Sequence, residues 1–187
     1  MIDYKTFKKG YLTEWVDRSQ VARKAAEELA KKDTTSLQDK YAYKDINQNL
    51  VFTLDGHKVE FKGENEKKPD GDIYFTYDEA MERFGEPDLK DGWRLPTKEE
   101  LEALCNYSYK FDDNSKQGVI DKRLYLPVAG IRGCIGNVIF VDSEGYYWSS
   151  TPDGLDKAWY LCIYSDNVYI SNYRRCSGQS VRLVRDA

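Results

Sequence analysis

The C-terminal part of the chain alternates apolar and polar positions with a period of two. In AWYLCIYSDNVYISNYRRCSG (158–178), one face of an extended chain carries an apolar set: Trp159, Leu161, Ile163, Val168 and Ile170. This period predicts strands that rest one face on a core. Short segments of this type, separated by Gly, Asp and Asn turns, are RLYLPVAGIRG, NVIFVDSEGYYWSS, AWYLCIYS, NVYISNY and SVRLVRD.

Helix-forming and hairpin patterns come earlier in the chain. Residues 14–32 are rich in helix formers and carry a narrow apolar stripe, which predicts an amphipathic helix. The dipeptide Asp55-Gly56 joins two β-branched and aromatic runs, a strong hairpin signal. We therefore predict an N-terminal helical segment at 1–48 and a main domain at 49–187.

Two short helices are predicted inside the main domain. TYDEAMERFG has Thr76 or Asp78 as N-cap and Gly85 as its stop, and PTKEELEALCNY has the capping box of Thr97 and Glu100. Helices followed by a run of short strands indicate an α+β fold with a mostly antiparallel sheet.

Charge and cysteine content exclude several function classes. The 187 residues include 28 basic and 32 acidic side chains, so we expect no nucleic-acid partner and no anionic membrane surface. The four cysteines and the single histidine have no zinc-type spacing. Free thiols are expected, with one disulfide as the alternative if the protein works outside a cell. We predict no metal and no cofactor.

The chain shows no membrane span and no signal-peptide core. No apolar run approaches the roughly 20 residues that a transmembrane helix needs. The chain as given is therefore expected to be cytoplasmic or to reach a phage or cell surface as part of an assembly.

Four motifs in order resemble a known family. WRLPT (93–97), LPVAG (126–130), YWSST (147–151) and SVRLVR (180–185) resemble the bacterial C-type-lectin-like domains of the Fibrobacter succinogenes major paralogous type. The resemblance covers residues 50–187. It implies two helices, a twisted and mostly antiparallel sheet, and terminal strands that meet; the fold alone implies no activity.

The activities of related folds do not fit these residues. GEPD (85–88) precedes WRLPT, and no Trp-Asn-Asp motif exists, so we predict no calcium site for sugar binding. Formylglycine-generating enzymes use a reactive cysteine pair, but Cys162 and Cys176 have no base near them in sequence. A cysteine enzyme is the third choice, and we predict no catalytic residue.

The polar positions of the alternating stretch are the candidate ligand-binding residues. Residues 158–187 contain no Lys and no Glu, although 18 Lys and 13 Glu precede them. Tyr, Ser, Asn and Arg are the types that recognition surfaces favour. The candidates are Tyr160, Cys162, Tyr164, Asp166, Asn167, Tyr169, Ser171, Asn172, Tyr173 and Arg174.

A narrower resemblance suggests why this face is unusual. The arrangement is similar to the variable proteins of diversity-generating retroelements, in which adenines of AAC codons are rewritten and every residue type except Lys, Glu, Gln, Met and Trp can arise. All ten candidates are of permitted types. The resemblance implies a diversified ligand-binding region at about 153–177 on a non-enzymatic, receptor-like or adhesin-like protein.

Partners and alternatives follow from that interpretation. The ligand would be a protein or glycan, and the segment 1–48 would attach the domain to an assembly or oligomerise it. The first alternative is an invariant structural or adhesive lectin-like module. A purely structural role for the tyrosines also stays open: Tyr160, Tyr164 and Tyr169 would pack under the N-terminal helix or at a dimer interface.

Overall fold

The described part of the chain has an α+β architecture, as predicted. The computed structural model describes residues 48–88 and 90–187. Within them, two short helices accompany three three-stranded sheets and one two-stranded sheet, and the named strands pair antiparallel. The helix predicted at 14–32 lies outside these ranges, and the boundary near residue 48 stays a prediction.

The first sheet joins the beginning and the end of the described region. Strands β1 (Leu50–Leu54) and β2 (His57–Phe61) form the predicted hairpin. Asp55 and Gly56 have φ of 46° and 87°, the left-handed conformations that a two-residue hairpin turn requires. The last strand of the chain, Val184–Asp186, pairs with the other side of β2 and is numbered β11 below.

Both predicted helices begin with complete capping boxes. In α1 (Tyr77–Phe84), Thr76 accepts a hydrogen bond from the Glu79 backbone, and Glu79 accepts one from the Thr76 backbone at 2.8 Å. In α2 (Lys98–Leu104), Thr97 and Glu100 do the same. Such caps satisfy backbone N–H groups that have no partner within the helix, which explains where each helix starts.

Two small sheets follow the helices. Strands β3 (Tyr109–Asp112), β4 (Gln117–Ile120) and β5 (Leu124–Pro127) form a meander. The polar stretch 110–118 thus lies in β3, β4 and the turn between them. Strands β6 (Ile131–Arg132) and β7 (Val138–Ile139) form a short second hairpin.

The last sheet contains the candidate site. Its strands are β8 (Gly145–Asp153), β9 (Lys157–Ile163) and β10 (Val168–Arg174), with β9 in the centre. Strand β9 therefore has a neighbour on each side, while β10 lies at an edge.

This sheet separates two hydrophobic cores. The first core packs β1, β2, α2, β4 and β5 against one face of the sheet through Leu161 and Ile163. The second core packs α1 and the segment 181–183 against the other face, around Trp148. Both faces of β8 and β9 are therefore covered, and this decides which predicted site residues reach solvent.

Two arginines of the recognised motifs connect distant segments. The Arg94 guanidinium donates two bonds of 2.8 Å to the Glu100 carboxylate and one of 2.9 Å to Asp186, so it joins α2 to β11. Arg182 is 5% exposed and donates to the carbonyls of Lys62, Gly63 and Tyr125. Both arginines therefore have a structural role.

Candidate functional site

Strand register decides which side chains of the alternating stretch share a face. Tyr169 lies opposite Cys162, and Ser171 lies opposite Tyr160. Directly paired residues of an antiparallel sheet point to the same face. The odd-numbered residues of β10 therefore lie beside the even-numbered residues of β9, on the face of the second core.

The prediction that all ten candidates are solvent-facing is wrong for Tyr160 and Cys162. Tyr160 is 6% exposed and Cys162 is 0% exposed. The Tyr160 ring packs 5.6 Å from Tyr146 and 6.2 Å from Trp148, between ring centroids. The face was expected to be wet, but the second core covers it at β9, so both side chains belong to the protein interior.

Three tyrosines and one serine of this face form a partly exposed strip at the sheet edge, here called the tyrosine surface: Tyr164, Tyr169, Ser171 and Tyr173. The rings of Tyr164 and Tyr169 stack at 5.8 Å with an interplanar angle of 8°. Tyr169 is 39% and Tyr173 is 43% exposed. Partial burial and a hydrogen bond with Tyr169 raise the pKa of Tyr164, so its hydroxyl stays protonated at neutral pH.

Residues behind the tyrosine surface hold it in place. Tyr173 contacts the buried Tyr160 ring edge-on at 6.4 Å. The backbone carbonyl of Tyr164 accepts a hydrogen bond from the Tyr109 hydroxyl of β3. The exposed rings thus rest on a packed sheet, which keeps their positions fixed at low conformational cost.

The other four candidates lie off this surface. Asp166 and Asn167 are exposed in the turn before β10, and the Asn167 side chain accepts a bond from the Val168 backbone at 2.8 Å. Asn172 and Arg174 are on the opposite face of β10, half-buried and exposed respectively. The ten candidates therefore divide among an interior, a tyrosine surface, a turn and a back face.

The predicted apolar face is only partly a core face. Leu161, Ile163 and Val168 are buried as expected. Trp159 is only partly buried and has the Lys98 ammonium 4.2 Å from its ring centroid, while Ile170 is partly buried against the first core. Both lie where α2 covers the sheet incompletely.

The expectation of free thiols is wrong for two cysteines. Cys134 and Cys176 form a disulfide that joins the β6–β7 hairpin to the segment after β10. Cys105 and Cys162 are free, and burial raises the pKa of each thiol to about 11. Cys176 lies far from Cys162 along the sheet. The Arg175 backbone, next to Cys176, bonds to Asp156, and Asp156 precedes Cys162 by six residues, a separation of about 20 Å along the strand.

A group of exposed apolar residues was not predicted as part of a site. Ile135 is 92% exposed and Phe140 is 48% exposed, with Val138, Ile139 and Val141 also exposed. The run NVIF is predicted to be part of a strand, and Val138 and Ile139 do form β7, but their side chains are exposed. The flanking residues Gly136 and Asp142 favour turns, and they are the sequence feature that indicates a protruding hairpin. A contiguous exposed apolar patch is typical of interaction sites.

The β6–β7 hairpin is also held by an ion pair. Arg132 donates to both oxygens of Asp72 at 2.7 and 2.8 Å, and its guanidinium lies 4.7 Å from the Tyr74 ring centroid. The hydrogen bonds from Arg132 lower the pKa of the Asp72 carboxyl to about 2. The charged form of Asp72 therefore stabilises the folded protein.

We expect this pair to give stability a specific pH dependence. Because the pKa of Asp72 is lower in the folded protein than its ordinary value of 3.8, the stabilisation is present above pH 4 and is lost as pH falls towards 2. Thermal unfolding of wild type and Asp72→Asn between pH 5 and pH 2 measures it. The two melting temperatures should differ at pH 5 and converge near pH 2; a constant difference would contradict the assignment.

The candidate site has no feature of a metal or small-molecule centre. Within residues 48–88 and 90–187, no cluster of His, Cys, Asp or Glu is suited to hold a metal ion. Open clefts of about 480 and 410 Å³ lie elsewhere, one beside His57 and Glu99 and one over the β3–β5 sheet. The two described helices are too short to cross a bilayer.

Comparison with known families places this domain. No curated protein and no solved structure matches the chain at a significant level. Residues 75–185 match the model of the Lcl C-terminal domain, a region that includes both helices, the disulfide and the tyrosine surface. Because this match spans more than half of the 187 residues, the chain belongs to the Lcl C-terminal domain family.

Proposed function

We propose that this lectin-like domain is a non-enzymatic binding module whose ligand contacts the tyrosine surface. The observation that carries the proposal is the row of half-exposed rings, Tyr164, Tyr169 and Tyr173, on a sheet whose reverse side is packed. Rigid tyrosines supply large contact area at low entropic cost, with a hydroxyl donor at the tip. A flat surface of this type suits a protein or an extended glycan better than a small metabolite.

The exposed apolar hairpin enlarges the proposed contact area. The disulfide joins Cys134, next to Ile135, to Cys176, three residues after Tyr173. The hairpin is therefore fixed near the end of β10, beside the last tyrosine. A ligand contacting both would cover tyrosine rings, which binding hot spots favour, together with the exposed apolar side chains of the hairpin.

We propose the C-type-lectin-like fold for this domain. Two helices between the first hairpin and a set of antiparallel sheets support it, as does the pairing of β2 with β11. Residues of the motifs that suggested the family also hold the fold together: Arg94 of WRLPT bonds to Glu100, and Arg182 of SVRLVR bonds to the Lys62 carbonyl.

We further propose that the residues of this binding surface are diversified by a retroelement. Eight of the ten candidate side chains reach solvent at least in part, which supports variation without loss of the fold. The burial of Tyr160 and Cys162 argues against variation at those two positions. That same burial favours the second candidate function, an invariant adhesive module. Two of the ten residues whose types match retroelement diversification are core residues, which the fold needs unchanged.

Genomic sequence separates these two candidates. Diversification requires an adjacent reverse-transcriptase gene and a near-copy of the last hundred or so bases, with differences mainly at adenines. Sister copies should then vary at Tyr164, Tyr169 and Tyr173 and keep Tyr160 and Cys162. Absence of the repeat from the source genome would leave the invariant module.

Two features of the cysteines support a role without catalysis. Cys176 is joined to Cys134, and Cys162 is a buried, protonated thiol far from it along the sheet. A thiol that stays protonated is a poor nucleophile. The disulfide also supports a working location outside the reducing cytoplasm.

Thiol labelling tests the enzyme alternative. With a pKa of about 11, native Cys162 and Cys105 are expected to react with iodoacetamide far more slowly at pH 8 than after unfolding. Mass spectrometry of the native and unfolded chain measures both rates. Fast native labelling of Cys162 would instead support a cysteine enzyme.

A binding screen tests the main proposal. The wild-type chain is applied to a glycan array and to an array of bacterial surface proteins, beside Tyr169→Ser/Tyr173→Ser and the control Lys58→Glu, an exposed charge on β2 of the first sheet. We expect signals that persist in the control and fall at least tenfold in the double variant. Equal signals from all three proteins would exclude the tyrosine surface as the contact.

A further inference from the structure

The outer side of β10 is an open sheet edge. The Tyr164 N–H donates to the Asn167 carbonyl and the Arg175 N–H to the Asp156 carbonyl, which fixes the alternation of hydrogen-bonded pairs along β9 and β10. Tyr169, Ser171 and Tyr173 therefore bond to β9. The backbone groups of Ile170 and Asn172 point away from the sheet, and in the described region no strand pairs with them.

The two edges of this sheet differ in their protection. Strand β8 carries Pro152 and a register shift between Trp148 and Pro152, and its backbone exchanges hydrogen bonds with Ser180. Strand β10 has seven residues, VYISNYR, with a continuous register and no Pro, Lys or Glu. Edges without such protection are templates for pairing with another strand.

We propose that β10 pairs with β10 of a second copy of this chain, antiparallel and centred on Ile170. In this register Ile170 faces its own copy, Tyr169 faces Ser171, and Asp166 faces Arg174. The central pair is of the hydrogen-bonded type, as the outward backbone groups of Ile170 require. The strand is thus complementary to itself.

Charge complementarity selects this register. Asp166 and Arg174 are both exposed, and neither has an ion-pair partner among the described residues. Two-fold symmetry places an Asp166–Arg174 pair at each end of the interface. A register centred on Asn172 would instead place Arg174 opposite Ile170 and leave both charges without partners.

The dimer would present one continuous six-stranded sheet. Because the two-fold axis stands perpendicular to the sheet, both tyrosine surfaces lie on the same face, with Tyr169 of one copy beside Ser171 of the other. The pairing itself rests only on strand geometry and charge, so it holds whether or not the tyrosine surface binds a ligand.

Charge reversal tests the interface on the full chain by sedimentation velocity over a concentration series. Asp166→Arg alone and Arg174→Asp alone place like charges at both ends, and each is expected to weaken the dimer at least tenfold. An equimolar mixture of the two variants restores opposite charges at both ends and should sediment as a dimer. Lys58→Glu, the control on the first sheet, should dimerise as the wild type does.

The possible outcomes are distinct. A dimer regained only in the mixture supports the proposed register and also shows that both variants are folded. A wild type that stays monomeric over the whole series would overturn the proposal. Single variants that keep the wild-type mass would do the same, since they would assign self-association to another part of the chain, such as residues 1–48.

Discussion

Replacing Tyr160 by Ala is expected to lower the free energy of unfolding by about 3–5 kcal/mol, the range for removing a buried aromatic side chain. Tyr160 is 6% exposed and contacts the rings of Tyr146, Trp148 and Tyr173. Its loss leaves a cavity in the second core that β9, paired on both sides, cannot close by moving. Chemical denaturation measures the change.

Matched variants separate burial from residue type. Tyr160→Phe keeps the ring and is expected to cost below about 1.5 kcal/mol. Tyr169→Ser/Tyr173→Ser removes two exposed tyrosines of the neighbouring strand and is expected to stay within about 1 kcal/mol of wild type. If the double variant were as unstable as Tyr160→Ala, the tyrosine surface would be a structural element and not a contact surface.

Removing the disulfide is expected to have an effect of similar size. Cys134 and Cys176 are 42 residues apart, and closing a loop of that length restricts the unfolded chain by about 4 kcal/mol in the chain-entropy model. Cys134→Ser/Cys176→Ser should therefore unfold at distinctly lower denaturant concentration than wild type. Reductant should destabilise the wild type towards the same value and leave the variant unchanged.

A free cysteine provides the control for the disulfide. Cys105→Ser removes a half-buried thiol that forms no disulfide, and the response of this variant to reductant should match that of the wild type. A double cysteine variant with wild-type stability would mean that the bond does not constrain the chain. The β6–β7 hairpin would then be held by the Asp72–Arg132 pair and by the backbone hydrogen bonds between Arg132 and Gly178.

Local signals predicted the elements of the fold well. The Asp55-Gly56 turn and the capping box of Thr97 and Glu100 each specify an element through a few neighbouring residues, and these elements form as expected. Short-range chemistry of this kind is independent of the rest of the fold.

The candidate site was predicted less well because it depends on what covers each face. The alternation in 158–174 predicted the strands β9 and β10, but a period of two describes a strand with one solvent-exposed face. Strand β8 carried the missing signal: Tyr146, Tyr147 and Trp148 are consecutive and all buried. A continuous apolar run indicates burial on both faces, and its neighbour β9 shares that burial.

The disulfide was not predictable from spacing. Four distant cysteines allow several pairings, and the fold alone brings Cys134 close to Cys176. Likewise, the apolar residues of NVIF do not distinguish an exposed hairpin from a core strand, because hydrophobicity does not record the space available for packing; only the flanking Gly136 and Asp142 favour a turn.

The first sheet has a mechanical consequence. Strands β1 and β11 lie on either side of β2 and run parallel to each other. A force pulling residue 48 away from residue 187 draws β1 backwards and β11 forwards along their own axes. The cross-strand hydrogen bonds, which stand perpendicular to the strands, are then loaded together in shear instead of opening one at a time. A domain tethered at one end and pulled at the other would resist extension through this sheet first.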